Sequence, residues 1–225
     1  MKSLLKSGIK LIWNTRIGKF VHKNGLNLFF PGSAIYWENR YRKNGNSGNG
    51  SYGKNADYKA AFLNQFVAEN NICTITEFGC GDGNQLKHFR FPSYVGLDVA
   101  ATAIQKCKEI FENDLAKRFY LYNPGKGPAT IPDLYSELSL SLDVIYHLIE
   151  DDIFNSYMHD LFSASSRYVI IYSWDVEEGK KYHVRNRNFS KWINENINGF
   201  KLKETVKCNP SENFCDFFIY EKDYE

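Results

Sequence analysis

The sequence predicts an α/β fold: a doubly wound, mostly parallel sheet of seven strands with helices on both faces, ending in an antiparallel hairpin. Three observations predict it. From about residue 56, short strand-like runs alternate with helix-periodic stretches, the pattern of parallel βαβ units. A glycine-rich turn, Gly79-Cys80-Gly81-Asp82-Gly83, follows the first strand directly. The last two strands are separated by only a short Asn/Pro/Ser turn, and a parallel return needs a crossover of a dozen or more residues, so they pair antiparallel.

The elements follow in order. Residues 1–23 carry Lys2, Lys6, Lys10, Arg16, Lys19 and Lys23 and no acid, while Leu5, Ile9, Ile12, Trp13, Ile17 and Phe20 recur at helical spacing. That is a basic amphipathic helix, suited either to a membrane interface or to docking on protein. Lys10 interrupts the apolar run that a secretory signal would need. Asn39 to Gly53 is rich in Gly and Asn and reads as a linker or a mobile lid. These parts make an N-terminal region of residues 1–55, and the α/β domain occupies 56–225.

Within the domain, Asp57–Glu69 reads as a helix with Ala60, Ala61, Leu63, Phe66 and Val67 on one side. A strand spans Asn71–Phe78, with β-branched Ile72, Thr74, Ile75 and Thr76. A helix is expected at Gly83–Phe89, then a strand Tyr94–Asp98, a helix Ala101–Asn113 and a strand Arg118–Tyr122. Proline and glycine make 124–132 a loop. Residues 137–142 alternate with period two, the helix Asp151–Ser165 follows, and Tyr168–Tyr172 is a fifth strand. Helix Ser190–Asn198 leads into the hairpin strands Phe200–Lys207 and Phe214–Tyr220.

Composition narrows the function classes. The 225 residues suit one sizeable domain. Basic residues number 28 against 26 acidic ones, a net charge of +2 that lacks the basic excess of a nucleic-acid binder. The five cysteines are scattered without a Cys-x-x-Cys pair, so neither a zinc site nor a disulfide framework is indicated, and a cytoplasmic setting is expected. No run reaches the roughly 20 apolar residues of a membrane span.

Ligands of doubly wound sheets bind beyond the carboxyl ends of the strands. The glycines lie there, and the second strand ends in Asp98, whose carboxylate can accept hydrogen bonds from both hydroxyls of a ribose. The spacing Gly-x-Gly-x-Gly departs from the Gly-x-Gly-x-x-Gly of dinucleotide sites. Glu77 beside the loop suits a cationic ligand and is poorly placed against a pyrophosphate.

The stretch Glu77-Phe-Gly-Cys-Gly-Asp-Gly, Tyr94-Val-Gly-Leu-Asp98 and the closing hairpin resemble class I S-adenosylmethionine-dependent methyltransferases over about residues 56–221. The fold so implied is Rossmann-like. Within that superfamily the chain resembles a bacterial group associated with cell-surface polysaccharide biosynthesis. The shared features are Tyr-Trp-x-x-Arg-Tyr (Tyr36 to Tyr41), Ser47-Gly-x-Gly-Ser-Tyr-Gly53, Ser141-Leu-Asp-Val-Ile-Tyr-His-Leu148, and His183-Val-Arg-x-Arg-x-Phe189 with Trp192.

The resemblance implies S-adenosylmethionine as cofactor. Glu77, Gly79, Cys80, Gly81 and Asp82 would surround its methionine part, and Asp98 its ribose. Val99, Tyr122 and Asn123 would flank the adenine, although many relatives carry an acid where Asn123 stands. Ser47 to Gly53, including Ser51 and Tyr52, would fold over the donor.

Methyl transfer needs an aligned acceptor and a base for its proton. His147 is the first candidate, with a side chain that ordinarily titrates near 6.5. Asp143, four residues earlier, would orient it or contact the donor; the competing reading of His147 is a structural histidine. His183, Arg185 and Arg187 suit a phosphate, carboxylate or nucleotide-sugar acceptor, or a solvated loop. Glu150, Asp151 and Asp152 raise magnesium, but acids in a first helical turn are common for dipole reasons alone, and no metal site is assigned.

The expected activity is O-methylation of a saccharide or saccharide-linked group in surface-glycan assembly, by a cytoplasmic enzyme with peripheral membrane contact through residues 1–23 if that helix lies on lipid. The alternatives are a non-sugar small-molecule acceptor and a non-catalytic binding protein. Nucleic acid is disfavoured, because Asp143-Val144-Ile145-Tyr146 replaces the Asn/Asp-Pro-Pro-aromatic run typical of such enzymes.

Overall fold

The computed structural model describes residues 30–126, 131, 134–179, 182–208 and 215–224. The amphipathic helix expected over 1–23 lies outside them. Among the described residues no helix is long and apolar enough to cross a membrane.

Helix α1 (Ser33–Arg42) opens the described chain. The loop expected from Asn39 starts later, because Asn39 to Arg42 form the last turn of this helix. Its signal is Tyr36, Trp37 and Tyr41 at helical spacing, with Arg40 and Arg42 favourable at the carboxyl end. Helix α2 (Gly53–Glu69) follows a loop. It ends where Asn71 takes the left-handed region (φ 53), a conformation that asparagine tolerates better than most residues. Ile72 N–H then donates to Val67 O at 3.0 Å and Asn71 N–H to Ala68 O at 3.3 Å, closing the orphan carbonyls. Residues 71–73, expected as strand, are consumed by this closure.

The sheet is built from β1 (Thr74–Phe78), β2 (Ser93–Asp98), β3 (Lys117–Leu121), β4 (Ser136–Leu142), β5 (Ser165–Ser173), β6 (Phe200–Val206) and β7 (Asp216–Lys222). Their order is β3-β2-β1-β4-β5-β7-β6. All pairs are parallel except β5–β7 and β6–β7, as the hairpin requires. Helices α3 (Ala101–Ile110), α4 (Asp151–Ser163) and α5 (Phe189–Asn196) connect them. Asn188 caps α5, accepting from Lys191 N–H at 3.0 Å.

The helix expected at Gly83–Phe89 is only a single 3₁₀ turn, Gln85–His88. Gly83 has φ 77 and Pro92 lies just beyond, so the segment can neither start nor extend as a regular helix. Stacked rings of Phe89 and Phe91 fill the space instead, 4.5 Å apart.

Period-two alternation sends side chains to two cores. Ile75, Tyr94, Leu138, Leu140, Ile170 and Phe217 pack with Leu63 and Val67 of α2 on one face. Phe78, Val95, Leu97, Val169, Ile171 and Phe218 pack with Phe154, Met158 and Leu161 of α4 on the other. Both faces being covered, the central strands carry little exposed surface.

Candidate functional site

The sheet reverses direction of winding between β1 and β4, and a cavity of about 340 Å³ opens beyond their carboxyl ends. Gly79 and Gly81 follow β1; Asp98 and Val99 come from the end of β2; Tyr122 and Asn123 follow β3; Asp143, Val144 and His147 follow β4. All line this one cavity. Its lining includes the carboxylates of Asp98, Asp143 and Glu150 and, among the described residues, no lysine or arginine.

The glycine loop turns sharply, with φ 85 at Gly79 and 60 at Gly81. A Cβ on Gly79 would come within 2.4 Å of Val144, and one on Gly81 within 2.3 Å of the Ser47 hydroxyl. Asp98 closes the loop from below: its Oδ2 accepts from Gly81 N–H at 3.0 Å and its Oδ1 from Ala100 N–H at 2.8 Å. Each oxygen keeps a further lone pair for a ligand hydroxyl. Burial, partly offset by these amide donors, pushes the Asp98 carboxyl up to about 6.

The loop after α1 is latched over the glycines. Asp82 Oδ2 accepts from Ser47 N–H at 3.1 Å and from the Tyr52 hydroxyl at 2.8 Å, while Asp82 N–H donates to Ser47 Oγ at 3.0 Å. Ser47 and Ser51 line the cavity. Tyr52 and Asp82 act at the latch, Gly53 begins α2, and these three do not line it. Cys80 is buried among core side chains. Glu77 also sits behind the cavity wall, where it accepts from the Tyr94 hydroxyl at 2.6 Å. Burial raises its carboxyl to about 7.

Helix α1 roofs the cavity through Ser33, Trp37 and Tyr41. Two carboxylates tie it to distant elements. Glu150 accepts from Ser33 N–H at 2.8 Å and from Ser33 Oγ at 2.6 Å, capping the helix N-terminus. Glu38 of α1 in turn accepts from Thr102 N–H (3.1 Å) and Oγ1 (2.7 Å) at the start of α3. Glu150 is thereby committed to the roof.

His147 lies in a 3₁₀ turn (Ile145–His147) beside the cavity, with Tyr146 and Trp37 edge-on at 4.5 and 4.9 Å and His183 stacked at 5.4 Å. Its Nδ1 lies 2.9 Å from His183 O. A carbonyl only accepts, so Nδ1 carries the proton and Nε2 carries the lone pair. Burial holds the imidazole neutral, down to about 4.

The expectation that Asp143 orients His147 is corrected. Asp143 takes the left-handed region (φ 61), so no helical turn begins there to align residues four apart. Its Oδ2 meets Lys59 Nζ at 2.5 Å, and its Oδ1 accepts from the Tyr146 hydroxyl at 2.9 Å. Lys59 is fully buried on α2 beneath the cavity floor, its ammonium 5.3 Å from the Tyr172 ring centre. Sequence reading missed it, because a lysine in an amphipathic helix reads as solvated.

The acceptor role expected of Arg185 and Arg187 is also corrected. Arg187 is buried: it donates to Leu148 O, to Ile149 O (3.1 Å) and to Asp151 (3.1 Å), and lies over the Phe154 ring. Arg185 reaches Ile149 O at 3.0 Å and Asp151 at 2.8 Å. Both guanidinium groups brace the backbone after β4. Neither lines the cavity. His183 is half-buried, stacked between His147 and Tyr36 (4.8 Å), and acts on the site through its carbonyl.

No protein-family profile matches the sequence, and a search of curated proteins finds no relative. Solved structures do match. The N-methyltransferase NodS from Bradyrhizobium japonicum WM9, in complex with S-adenosyl-L-homocysteine, aligns with TM-score 0.63 at 11% identity, over 85% of this chain and 98% of that one. Magnesium protoporphyrin IX methyltransferase from Synechocystis PCC 6803, with S-adenosylmethionine bound, gives 0.59 at 14% identity, over 85% and 97%. An S-adenosylmethionine-dependent methyltransferase from Clostridium acetobutylicum ATCC 824 gives 0.54 at 11%, over 73% and 90%. The chain therefore has the Rossmann-like fold of these methyltransferases.

Proposed function

We propose that the protein is an S-adenosylmethionine-dependent methyltransferase acting on a small-molecule acceptor. One observation carries the reading: the ribose-suited Asp98, the glycine loop and the neutral His147 line a single cavity whose charged lining groups are all acidic. A cationic sulfonium fits that lining, whereas the pyrophosphate of a dinucleotide would meet no lysine or arginine in the lining among the described residues. The volume falls in the range of about 300–1,000 Å³ common to small-ligand sites.

When bound, the donor supplies a methyl group already activated on sulfur. Asp98 would hold the ribose, and Val99, Tyr122 and Asn123 would flank the adenine, with Asp143 beside the methionine part. The loop latched by Asp82 and the α1 roof exclude water. His147 Nε2 would take the proton of the acceptor hydroxyl, leaving that oxygen able to receive the methyl group.

The acceptor reading is O-methylation of a saccharide or saccharide-linked group in surface-glycan assembly, supported by the sequence resemblance and by the aromatic surround of His147. Residues 56–225 form the catalytic domain in this reading, with the preceding segment as its roof. The basic stretch 1–23 would bring a cytoplasmic enzyme to a lipid-linked acceptor.

Calorimetric titration with S-adenosylmethionine and S-adenosylhomocysteine, with NAD as control, tests the assignment. Micromolar binding of both, weakened at least tenfold by Asp98→Ala, is expected. Binding of NAD instead, or of none, would refute it.

A further inference from the structure

Beyond Trp37, just outside the cavity lining, lies a cation that the catalytic reading does not use. Arg40, in the last turn of α1, is half-buried. Its Nε donates to Asn46 O at 2.6 Å and one Nη reaches Asn46 Oδ1 at 3.4 Å. Its guanidinium carbon lies 5.5 Å from the centre of the Trp37 ring, and that ring meets His147 edge-on at 4.9 Å. Two of its five N–H donors are thus used on Asn46, and among the described residues no carboxylate lies within ion-pair distance of it.

The acids of this wall have other partners. Asp143, four residues before His147, pairs with Lys59 at 2.5 Å, and Glu150 is turned to Ser33. Among the described residues Arg40 thus keeps a positive charge with no carboxylate partner at the edge of this wall. The field reaches both imidazoles: with burial as the larger cause, the Arg40 charge helps hold His147 and His183 deprotonated. An arginine anchored along one edge and close to an indole keeps N–H donors for a planar oxyanion.

We propose that Arg40 binds an oxyanion of the acceptor, a carboxylate or a phosphate on the part of the acceptor that extends past Trp37 from the cavity. The inference rests on the methyltransferase reading and narrows its acceptor class to anionic small molecules, uronic acids or phosphorylated sugars among them. Arg40 would then set specificity, while Arg185 and Arg187 keep the wall in place.

The test is a titration followed by the ring resonances of His147 and Trp37, on protein with and without S-adenosylhomocysteine. The probes are D-glucuronate, D-glucose 6-phosphate and, as neutral control, D-glucose. Saturable shifts with an anionic probe and none with glucose are expected, and the tighter of the two anions tells carboxylate from phosphate. Arg40→Gln should weaken the effect at least tenfold, and Arg40→Lys should retain part of it. Thermal melts report whether each variant folds; if Arg40→Gln does not, the comparison rests on Arg40→Lys. Equal shifts from glucose, no shift from either anion, or unchanged affinity in the folded variants would overturn the proposal. Failure of S-adenosylhomocysteine to bind would instead overturn the methyltransferase reading, and the anion-dependent shifts in its absence would still decide the role of Arg40.

Discussion

Replacing Lys59 with Met tests the electrostatic frame of the site. Lys59 has no exposed surface and its Nζ lies 2.5 Å from Asp143, whose side chain is 14% exposed. Removing the ammonium leaves Asp143 with the Tyr146 hydroxyl at 2.9 Å, the weak Cys215 thiol at 3.9 Å and a left-handed backbone that fixes it in place. Gly50 packs so closely that a Cβ there would come within 2.5 Å of Asp143, so little room exists for the carboxylate to swing out. Breaking one partner of such a pair costs about 3–5 kcal/mol. In a chain of this size each kcal/mol moves Tm by roughly 2–4 °C, so Lys59→Met should lower it by roughly 6–20 °C.

Urea unfolding of Lys59→Met, Asp143→Asn and the double variant separates coupling from packing. The double variant buries neither charge alone, so the cycle should show a coupling on the order of 2 kcal/mol. A loss under about 1 kcal/mol for Lys59→Met, the scale of an exposed pair, would refute the argument, as would simple additivity.

Three further outcomes are expected. Donor affinity should fall as pH drops below about 6, where Asp98 takes up a proton and loses an acceptor oxygen; the acid limb should be absent in Asp98→Asn. Because His147 is held near 4, the rate constant for transfer should show no inflection near 6.5 from this group, and His147→Ala should lower it by about 10²–10⁴ at unchanged donor affinity. Gly81→Ala combines a positive φ of 60 with a Cβ 2.3 Å from Ser47 Oγ, so it should displace the latched loop and weaken donor binding at least tenfold by calorimetry, with the fold retained.

What could be read from sequence is what short stretches of chain control. β-Branched and apolar runs made the strands at 71–78, 94–98 and 168–172 visible, because strands covered on both faces carry apolar side chains to two cores. Gly79, Gly81 and Asp98 were legible because a strand end, a tight turn and a carboxylate are each encoded within a few residues. The missing helix at Gly83–Phe89 and the short strand after Asn71 show the limit of the same rule: a cap and a proline a few residues away overrode local preference.

Only the tertiary structure decided which charges act at the site. Lys59 and Asp143 are 84 residues apart, and nothing local in either marks a buried pair. Arg185 and Arg187 had the composition of an anion site, yet Asp151 and the carbonyls of Leu148 and Ile149 occupy them. Arg40 sat in a stretch that read partly as loop, and the cap that Glu150 gives to Ser33 carries the helix that places it over Trp37. Sequence sets where a charge can be; whether it faces a ligand, a carbonyl or an opposite charge depends on partners that the chain brings together only when it closes.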